Sequence, residues 1–396
     1  MSVRKREWTT QRGERKFAWV VDYSDTGGKR RSKTFHRKKE AGDFAARVSV
    51  EVQEGLHVAA RSSVTVAKAG ALWIESGEGD GLERSTLDQR RAHLHKHIVP
   101  LIGQALLSKL TGPMVRDFQD LLRKTGRSPA MIKKIVTSLG SILADANERG
   151  LATRNPVREM RRNRKGRDTR TAARQRGRLE IGKDIPSRDE IRLFIAALSD
   201  LLWRTMFLVL IFTGLRSSEL RALRWRDADL IRSEIHVRQR VNRYRGKPKS
   251  RMGTRTIPIS PIVVVALKAL KLKQESSSEF LFPNLEGNPR SHGNVVRKGM
   301  QSTMLRGGVV VDTGEKDENG KSVLRPKYTG LHALRHFFAS WLINRKEDGG
   351  LGLPAKVVQE RMGHSSITVT MDTYGHLFPR GDDSKELEIA SNSLLN

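Results

Sequence analysis

Cysteine is absent from the 396 residues, which excludes disulfide scaffolds, cysteine-ligated zinc sites and thiol nucleophiles. Long apolar runs are also missing. The longest is about Met206–Phe212, far short of the roughly 20 residues a membrane-spanning helix needs. The opening MSVRKREWTTQRG has no apolar segment of the kind a secretory signal carries, so a cytoplasmic location with no membrane partner is expected. Acidic residues are scarce: 43 Asp and Glu face 74 Lys and Arg, a formal net charge of +31. Such an imbalance repels itself unless a polyanion is the partner. Nucleic acid is favoured over an anionic membrane surface. Tyrosines number only four, Tyr23, Tyr244, Tyr328 and Tyr374.

At about 100–200 residues per domain, the length implies two or three domains. The expected architecture is multidomain: a small basic β-sheet plus helix, then an all-α body, then a mixed α+β unit. The first spans 1–60. Strand-like Lys16–Tyr23 and Lys29–Phe35 flank a turn at Asp25–Gly28, and a helix follows near Lys38–Gln53. Basic residues in 1–40 outnumber acidic ones by thirteen to five, with Trp19 and Phe35 interleaved, so this unit is expected to bind DNA. Arg30, Arg31 and Lys33 are its candidate contacts.

Residues 61–157 read as helices. Ser128-Pro129 is an N-cap with a first-turn proline, and Ile132, Ile135, Val136, Leu139, Ile142, Leu143 and Ala146 recur at helical spacing. Residues 158–185 read as a basic linker. Ten positive charges between Arg158 and Arg178 face only Glu159 and Asp168, and the near absence of apolar side chains leaves nothing to pack a core. Arg161, Arg162 and Arg164 are candidate phosphate contacts there. The last unit, 186–396, opens with a capping box, Ser187-x-x-Glu190. A buried-looking helix, Leu201–Thr213, ends at Gly214. Strand-like stretches lie at 233–241 and 254–259, and a second hairpin lies within 306–330. The acidic part of that hairpin, Asp312–Asn319, is expected to point away from DNA or to touch another protomer. In the tail, Leu387, Ala390, Leu394 and Leu395 fall near helical spacing, a stripe that needs a surface, in cis or on a neighbour, to bury it.

Four clusters in the last unit carry chemistry. In TGLRSSEL, Arg216 stands at a helix start, where a guanidinium and a helix N-terminus both favour phosphate. Glu219 lies on the same face, although such an i,i+3 pair is more often a plain surface ion pair. Lys249 sits in the basic loop KPKSRMGTRTIP. In HALRH, His332 and Arg335 share a helix face. In MGHSSITVTMDTYGH, His364 follows a glycine turn and Tyr374 comes ten residues later.

Together and in this order, Arg216, Lys249, His332, Arg335, His364 and Tyr374 resemble the tyrosine recombinase (phage integrase) family. The likeness is strong over 186–378 and extends to 64–155 as the family's helical core-binding domain. Residues 1–60 look like its arm-type DNA-binding domain. The resemblance implies site-specific integration or excision of a mobile element, with Tyr374 forming a 3′-phosphotyrosine. Two arginine forks would neutralise the phosphate, and His364 would donate a hydrogen bond. Lys249, or Lys247 two residues away, would protonate the leaving oxygen. Local cations, or His332 as base, would activate a phenol whose ordinary pKa is about 10. Glu219 would support Arg216. The covalent bond conserves the phosphodiester's free energy, so no cofactor, nucleotide or metal is expected. The implied partners are double-stranded attachment sites, a homotetramer on DNA, an accessory excision factor and a host DNA-bending protein. DNA binding would place the chain at the nucleoid. Two rivals stand beside this reading. One is a DNA-binding regulator on an inactive recombinase fold, against which intact Tyr374 and both arginines argue. The other is a type IB topoisomerase-like enzyme, against which the arm-like N-terminus argues.

Overall fold

The computed structural model describes residues 1–10, 13–24, 28–53, 63–163, 178–241, 245–246, 251–274, 278–379 and 383–395. The chain divides into two compact units, 1–169 and 170–396.

The first unit holds two separate cores. Its N-terminal part is a three-stranded antiparallel sheet of β1 (Ser2–Thr9), β2 (Arg15–Ser24) and β3 (Arg30–Phe35), in the order β1-β2-β3. Most of the expected turn between β2 and β3, residues 25–27, lies outside the described residues. Helix α1 (Lys38–Gln53) places Ala41, Phe44 and Val48 against Val21 and Tyr23 of the sheet. The edge strand β1 has no counterpart in the sequence expectation. Its residues are exposed along its whole length, so apolar alternation could not announce it.

The register also separates the three candidate DNA contacts. Arg31 and Lys33 pair with Tyr23 and Val21 and so share the face that α1 covers. The Lys33 ammonium lies 4.5 Å from the centre of the Phe44 ring. Arg30 belongs to the opposite face, together with Arg4, Arg6 and Lys16. That face, rather than β3 as such, gathers basic residues clear of the helix.

The helical part comprises α2 (Val66–Gly79), α3 (Arg84–His93), α4 (Val99–Ile102), α5 (Gly112–Lys124), α6 (Pro129–Glu148) and α7 (Pro156–Asn163). The Ser128 hydroxyl accepts from the Met131 amide at 3.3 Å, and the apolar face of α6 is buried as its spacing requires. Helix α7 corrects the expected linker at its start. Val157 is buried in this core and Met160 packs against it, so the charge run begins as the polar side of an amphipathic helix. Asn155 secures the entry, donating to the Gly140 carbonyl at 2.8 Å. The end of the expected linker is corrected too, since Ile185 is fully buried in the second unit's core and Leu179 packs against it. The side chains of Arg161 and Arg162, together with Arg164 and residues 165–177, lie outside the described residues.

In the second unit, α8 (Arg188–Ala196) carries the expected capping box, with reciprocal bonds between Ser187 and Glu190 of 2.7 and 3.2 Å. Helix α9 (Leu201–Thr213) is buried from Thr205 to Ile211 and forms the centre of the core. It stops at Gly214, whose φ of 58° suits glycine, and where a Cβ would come within 2.2 Å of Phe338. A four-residue helix, α10 (Ser217–Leu220), follows at once. Strands β4 (Ala228–Asp229), β5 (Glu234–Val237) and β8 (Arg255–Pro258) form an antiparallel sheet, with the short pair β6 (Arg240–Val241) and β7 (Arg245–Gly246) beside it in sequence. Helix α11 (Pro261–Lys273) packs on α9. After α12 (His292–Asn294) and α13 (Ser302–Arg306), the hairpin β9 (Val310–Lys316) and β10 (Ser322–Pro326) is largely exposed. The chain then runs through α14 (His332–Ile343), α15 (Ala355–Met362), α16 (Ile367–Tyr374) and α17 (Asp383–Leu395). On α17, Leu387, Leu394 and Leu395 are exposed, so these members of the stripe are not buried in cis.

Candidate active site

Glu219 is the hub of the site. It is 2 % exposed on α10. One carboxylate oxygen accepts from the Arg216 guanidinium at 2.9 Å and the other from the Arg216 backbone amide at 3.0 Å. A second guanidinium, that of Arg255 on β8, reaches the latter oxygen at 3.0 Å. Burial pushes the Glu219 carboxyl up, but the charges of Arg255 and Arg216 outweigh it and hold the group below the ordinary range. The pair is therefore not a solvated i,i+3 bridge: its carboxylate is buried and bonded through both oxygens, while the Arg216 side chain stays partly open.

Arg335 enters from α14 and is 2 % exposed. Its guanidinium donates to the Gly214 carbonyl, just before Arg216, and at 2.5 Å to the Met362 carbonyl. Arg216 donates to the next carbonyl, that of Gly363, at 3.1 Å. Both arginines thus converge on the α15–α16 turn that carries His364. Burial, then the charges of Arg216 and Arg255, push Arg335 down to about 9, which leaves it protonated at neutral pH.

Tyr374 ends α16 with its ring 2 % exposed. The His364 ring stacks on it at 6.1 Å between centres and 10° between planes. His364 is itself held by Thr370, whose hydroxyl lies 2.9 Å from Nδ1. The partner of the Tyr374 hydroxyl is His336, whose Nδ1 lies 2.7 Å away. His332 stands behind it, edge-on to His336 at 5.2 Å and exposed at the start of α14. The histidine that meets the phenol is therefore the second of the HALRH motif, not His332. The signal was present: His332, Arg335 and His336 stand at i, i+3 and i+4, one helix face. Arg255 was equally missed, because only the tertiary fold brings β8 to Glu219.

Burial raises the Tyr374 phenol to about 12, against the opposing pull of Arg335 and Arg216. Burial, with His332 and Arg335, lowers His336 to about 4, and burial, with Arg335 and Arg216, lowers His364 to about 3. Both imidazoles are neutral at pH 7, so His336 can accept the phenolic proton in a hydrogen bond. A group whose pKa is depressed by folding binds fewer protons folded than unfolded. Stability should therefore hold above about pH 6.5 and fall as pH drops toward 4. Denaturant titrations at pH 7 and pH 5 check this, with His336→Gln and His364→Gln each flattening the loss; an unchanged slope in both would contradict it.

Tyr328 offers no comparable chemistry. Its hydroxyl donates to Glu190 at 2.8 Å in the core, and burial and Glu190 push its phenol far up. Tyr23 packs in the N-terminal core. Tyr244, Lys247 and Lys249 lie outside the described residues. Among the described residues no three His, Asp or Glu side chains cluster as a metal site requires.

Residues 187–380 match the sequence profile of the Phage integrase family. The chain is 28 % identical over 365 residues to the ICEBs1 integrase of Bacillus subtilis strain 168, covering 90 % of each. It is 25 % identical over 382 residues to a XerC-like tyrosine recombinase of Caldanaerobacter subterraneus, again covering 90 % of each. In fold it resembles the Tn1549 transposon integrase in complex with a circular intermediate DNA, with a TM-score of 0.61 at 21 % identity over 83 % of this chain and 100 % of that one. It also resembles lambda integrase as a tetramer bound to a Holliday junction, with a TM-score of 0.54 at 17 % identity over 91 % and 96 %. Two arginines and two histidines thus gather around one buried tyrosine within the segment 187–380 that matches the Phage integrase family, in a chain similar over most of its length to tyrosine-type site-specific recombinases.

Proposed function

We propose that Tyr374 attacks the scissile phosphate of an attachment site and holds the cut strand as a 3′-phosphotyrosine during integration or excision of a mobile element. The observation that carries this is the Tyr374 hydroxyl, hydrogen-bonded by His336 beside the turn on which Arg216 and Arg335 converge. Arg216 and Arg335 supply the forks that neutralise the non-bridging oxygens. His364 donates to the phosphate, and Glu219 keeps Arg216 aimed. His332, the most open of the three histidines, is left to contact the phosphate or leaving strand, while Lys249 protonates the 5′-oxygen. Because the ring is buried, DNA engagement has to uncover the phenolic oxygen. Arg335 and Arg216, which already pull the phenol down against its burial, favour the phenolate once that oxygen is uncovered.

A core-site duplex nicked next to the cleavage point should trap the protein covalently on a denaturing gel, in EDTA and without nucleotide. A strict magnesium requirement for this step would contradict the mechanism. Trapping without any recombinant product from two attachment sites would favour a topoisomerase-like activity instead.

The N-terminal sheet is proposed as the arm-type DNA binder, the helical part as the core-site binder, and the functional assembly as a homotetramer on two duplexes. Accessory factors, an excision factor and a DNA-bending protein, belong to the same proposal. The exposed leucines of α17 suit docking on a neighbouring protomer. Deleting residues 1–60 should spare cleavage of a minimal core site and reduce integration between full sites, since a linked second module supplies avidity rather than chemistry. Arg4, Arg6, Lys16 and Arg30 on the open face predict a shallower salt dependence after deletion, by about 0.9 in the log–log slope for each phosphate no longer neutralised. Equal slopes and equal integration yields would remove the arm-binding role.

A further inference from the structure

The last carbonyls of a helix have no partners within it and carry the negative end of its dipole. At the end of α15, three guanidinium groups from three different elements take three successive carbonyls. Arg255 Nε donates to Arg361 at 2.9 Å, Arg335 Nη2 to Met362 at 2.5 Å, and Arg216 Nη2 to Gly363 at 3.1 Å. Two of these arginines are assigned to the phosphate. The third, Arg255, has no role yet.

Arg255 is built in rather than incidental. Its side chain is 7 % exposed. Besides Arg361, it donates to the Gly253 carbonyl at 3.1 Å and to Glu219 at 3.0 Å. Gly363 makes room for it: φ is 64°, and a Cβ there would lie 2.7 Å from Arg255 Nη1. Glu219 in turn holds Arg216 by backbone and side chain. One guanidinium therefore ties together the start of α10, the strand β8 and the turn that carries His364. Lysine could not replace it, because a single ammonium lacks the fork that spans Glu219 and the Arg361 carbonyl.

We propose that Arg255 is a positioning residue for phosphate binding. It locks Glu219 and the 361–364 turn so that the fork of Arg216 is set before DNA arrives. The proposal rests on the reading of Arg216 as a phosphate ligand. It acts through Arg216 and so has a signature that a structural ion pair lacks. A defect in neutralising the phosphate shrinks when the phosphate carries no charge.

The test is single-turnover cleavage by the full-length protein on nicked core-site DNA. One substrate carries the ordinary scissile phosphate and the other a methylphosphonate, in which a methyl group replaces one non-bridging oxygen. Arg255→Gln and Arg255→Lys are expected to keep core-site affinity and to lose about 10–100-fold in rate on the phosphate, as is typical of groups that orient a ligand. On the methylphosphonate that loss should shrink several-fold, in parallel with Arg216→Ala. Arg255→Gln should add little in an Arg216→Ala background, because residues acting as one unit are not additive. If Arg216→Ala responds to the neutral phosphate and the Arg255 variants do not, Arg255 is merely structural and the proposal fails. If Arg216→Ala itself does not respond, the reading of Arg216 fails and takes the proposal with it. Loss of the folded state in both Arg255 variants would also overturn it.

Discussion

Tyr374→Phe should bind core-site DNA as the parent protein does and yield no covalent protein–DNA product at any time. The substitution removes one oxygen from a ring that is almost wholly buried against His364, so the packing that shapes the site survives. What disappears is the hydrogen bond to His336, and because that imidazole is only partly buried the loss costs at most about 1–3 kcal/mol of stability. That is too little to unfold a domain of ordinary stability. The chemical loss, by contrast, should be complete. Among the described residues the other tyrosines, Tyr23 and Tyr328, sit in cores, and Tyr328 donates to Glu190. The assay is the nicked core-site duplex on a denaturing gel, with binding measured separately by mobility shift. A covalent band from Tyr374→Phe would remove Tyr374 as the nucleophile.

The parts of the fold legible in sequence were those written locally. The Ser187–Glu190 box and the Ser128 cap are four-residue patterns, and each makes the bonds its spacing implies. Arg216, His332, Arg335, His364 and Tyr374, which the fold brings together about the turn after α15, were read for another reason: they stand in fixed order within short phrases that resemble a family's motifs. What remained hidden depends on residues distant in the chain. Strand β1 is defined by its pairing with β2, not by an apolar rhythm of its own. Arg255 and Glu219 stand 36 residues apart, and His336 and Tyr374 stand 38 apart. No local pattern joins either pair. The faces of Arg31 and Lys33 were likewise open until register was known, since a slip of one residue reverses every side chain of a strand. Helix α7 was obscured by composition: five of its eight residues are polar or charged, and only Val157 and Met160 supply the apolar side that meets the core.

Arg335→Lys should lose cleavage far more than binding. The charge is kept, so the long-range attraction to DNA is unchanged. The planar fork is lost, and with it the means to hold the Gly214 and Met362 carbonyls while facing a phosphate. If Arg335 meets the charge that develops on the phosphate, losing the fork costs about 2–4 kcal/mol of barrier, by analogy with a lost oxyanion donor. That corresponds to roughly 30–1,000-fold in single-turnover rate. Stability should fall too, because a buried carbonyl left without a donor costs about 1–3 kcal/mol. The pH dependence separates fork from charge. Burial, then Arg216 and Arg255, already push the arginine down to about 9. A lysine starts lower, near an ordinary value of about 10.4, and meets the same environment, so it should be partly neutral in mildly alkaline buffer. The residual rate of Arg335→Lys, divided by that of the parent protein, should then rise as pH is lowered from 9 to 7. A ratio that stays flat would mean that the lysine remains charged and that the fork alone accounts for the loss. A rate near that of the parent at every pH would make Arg335 a structural residue.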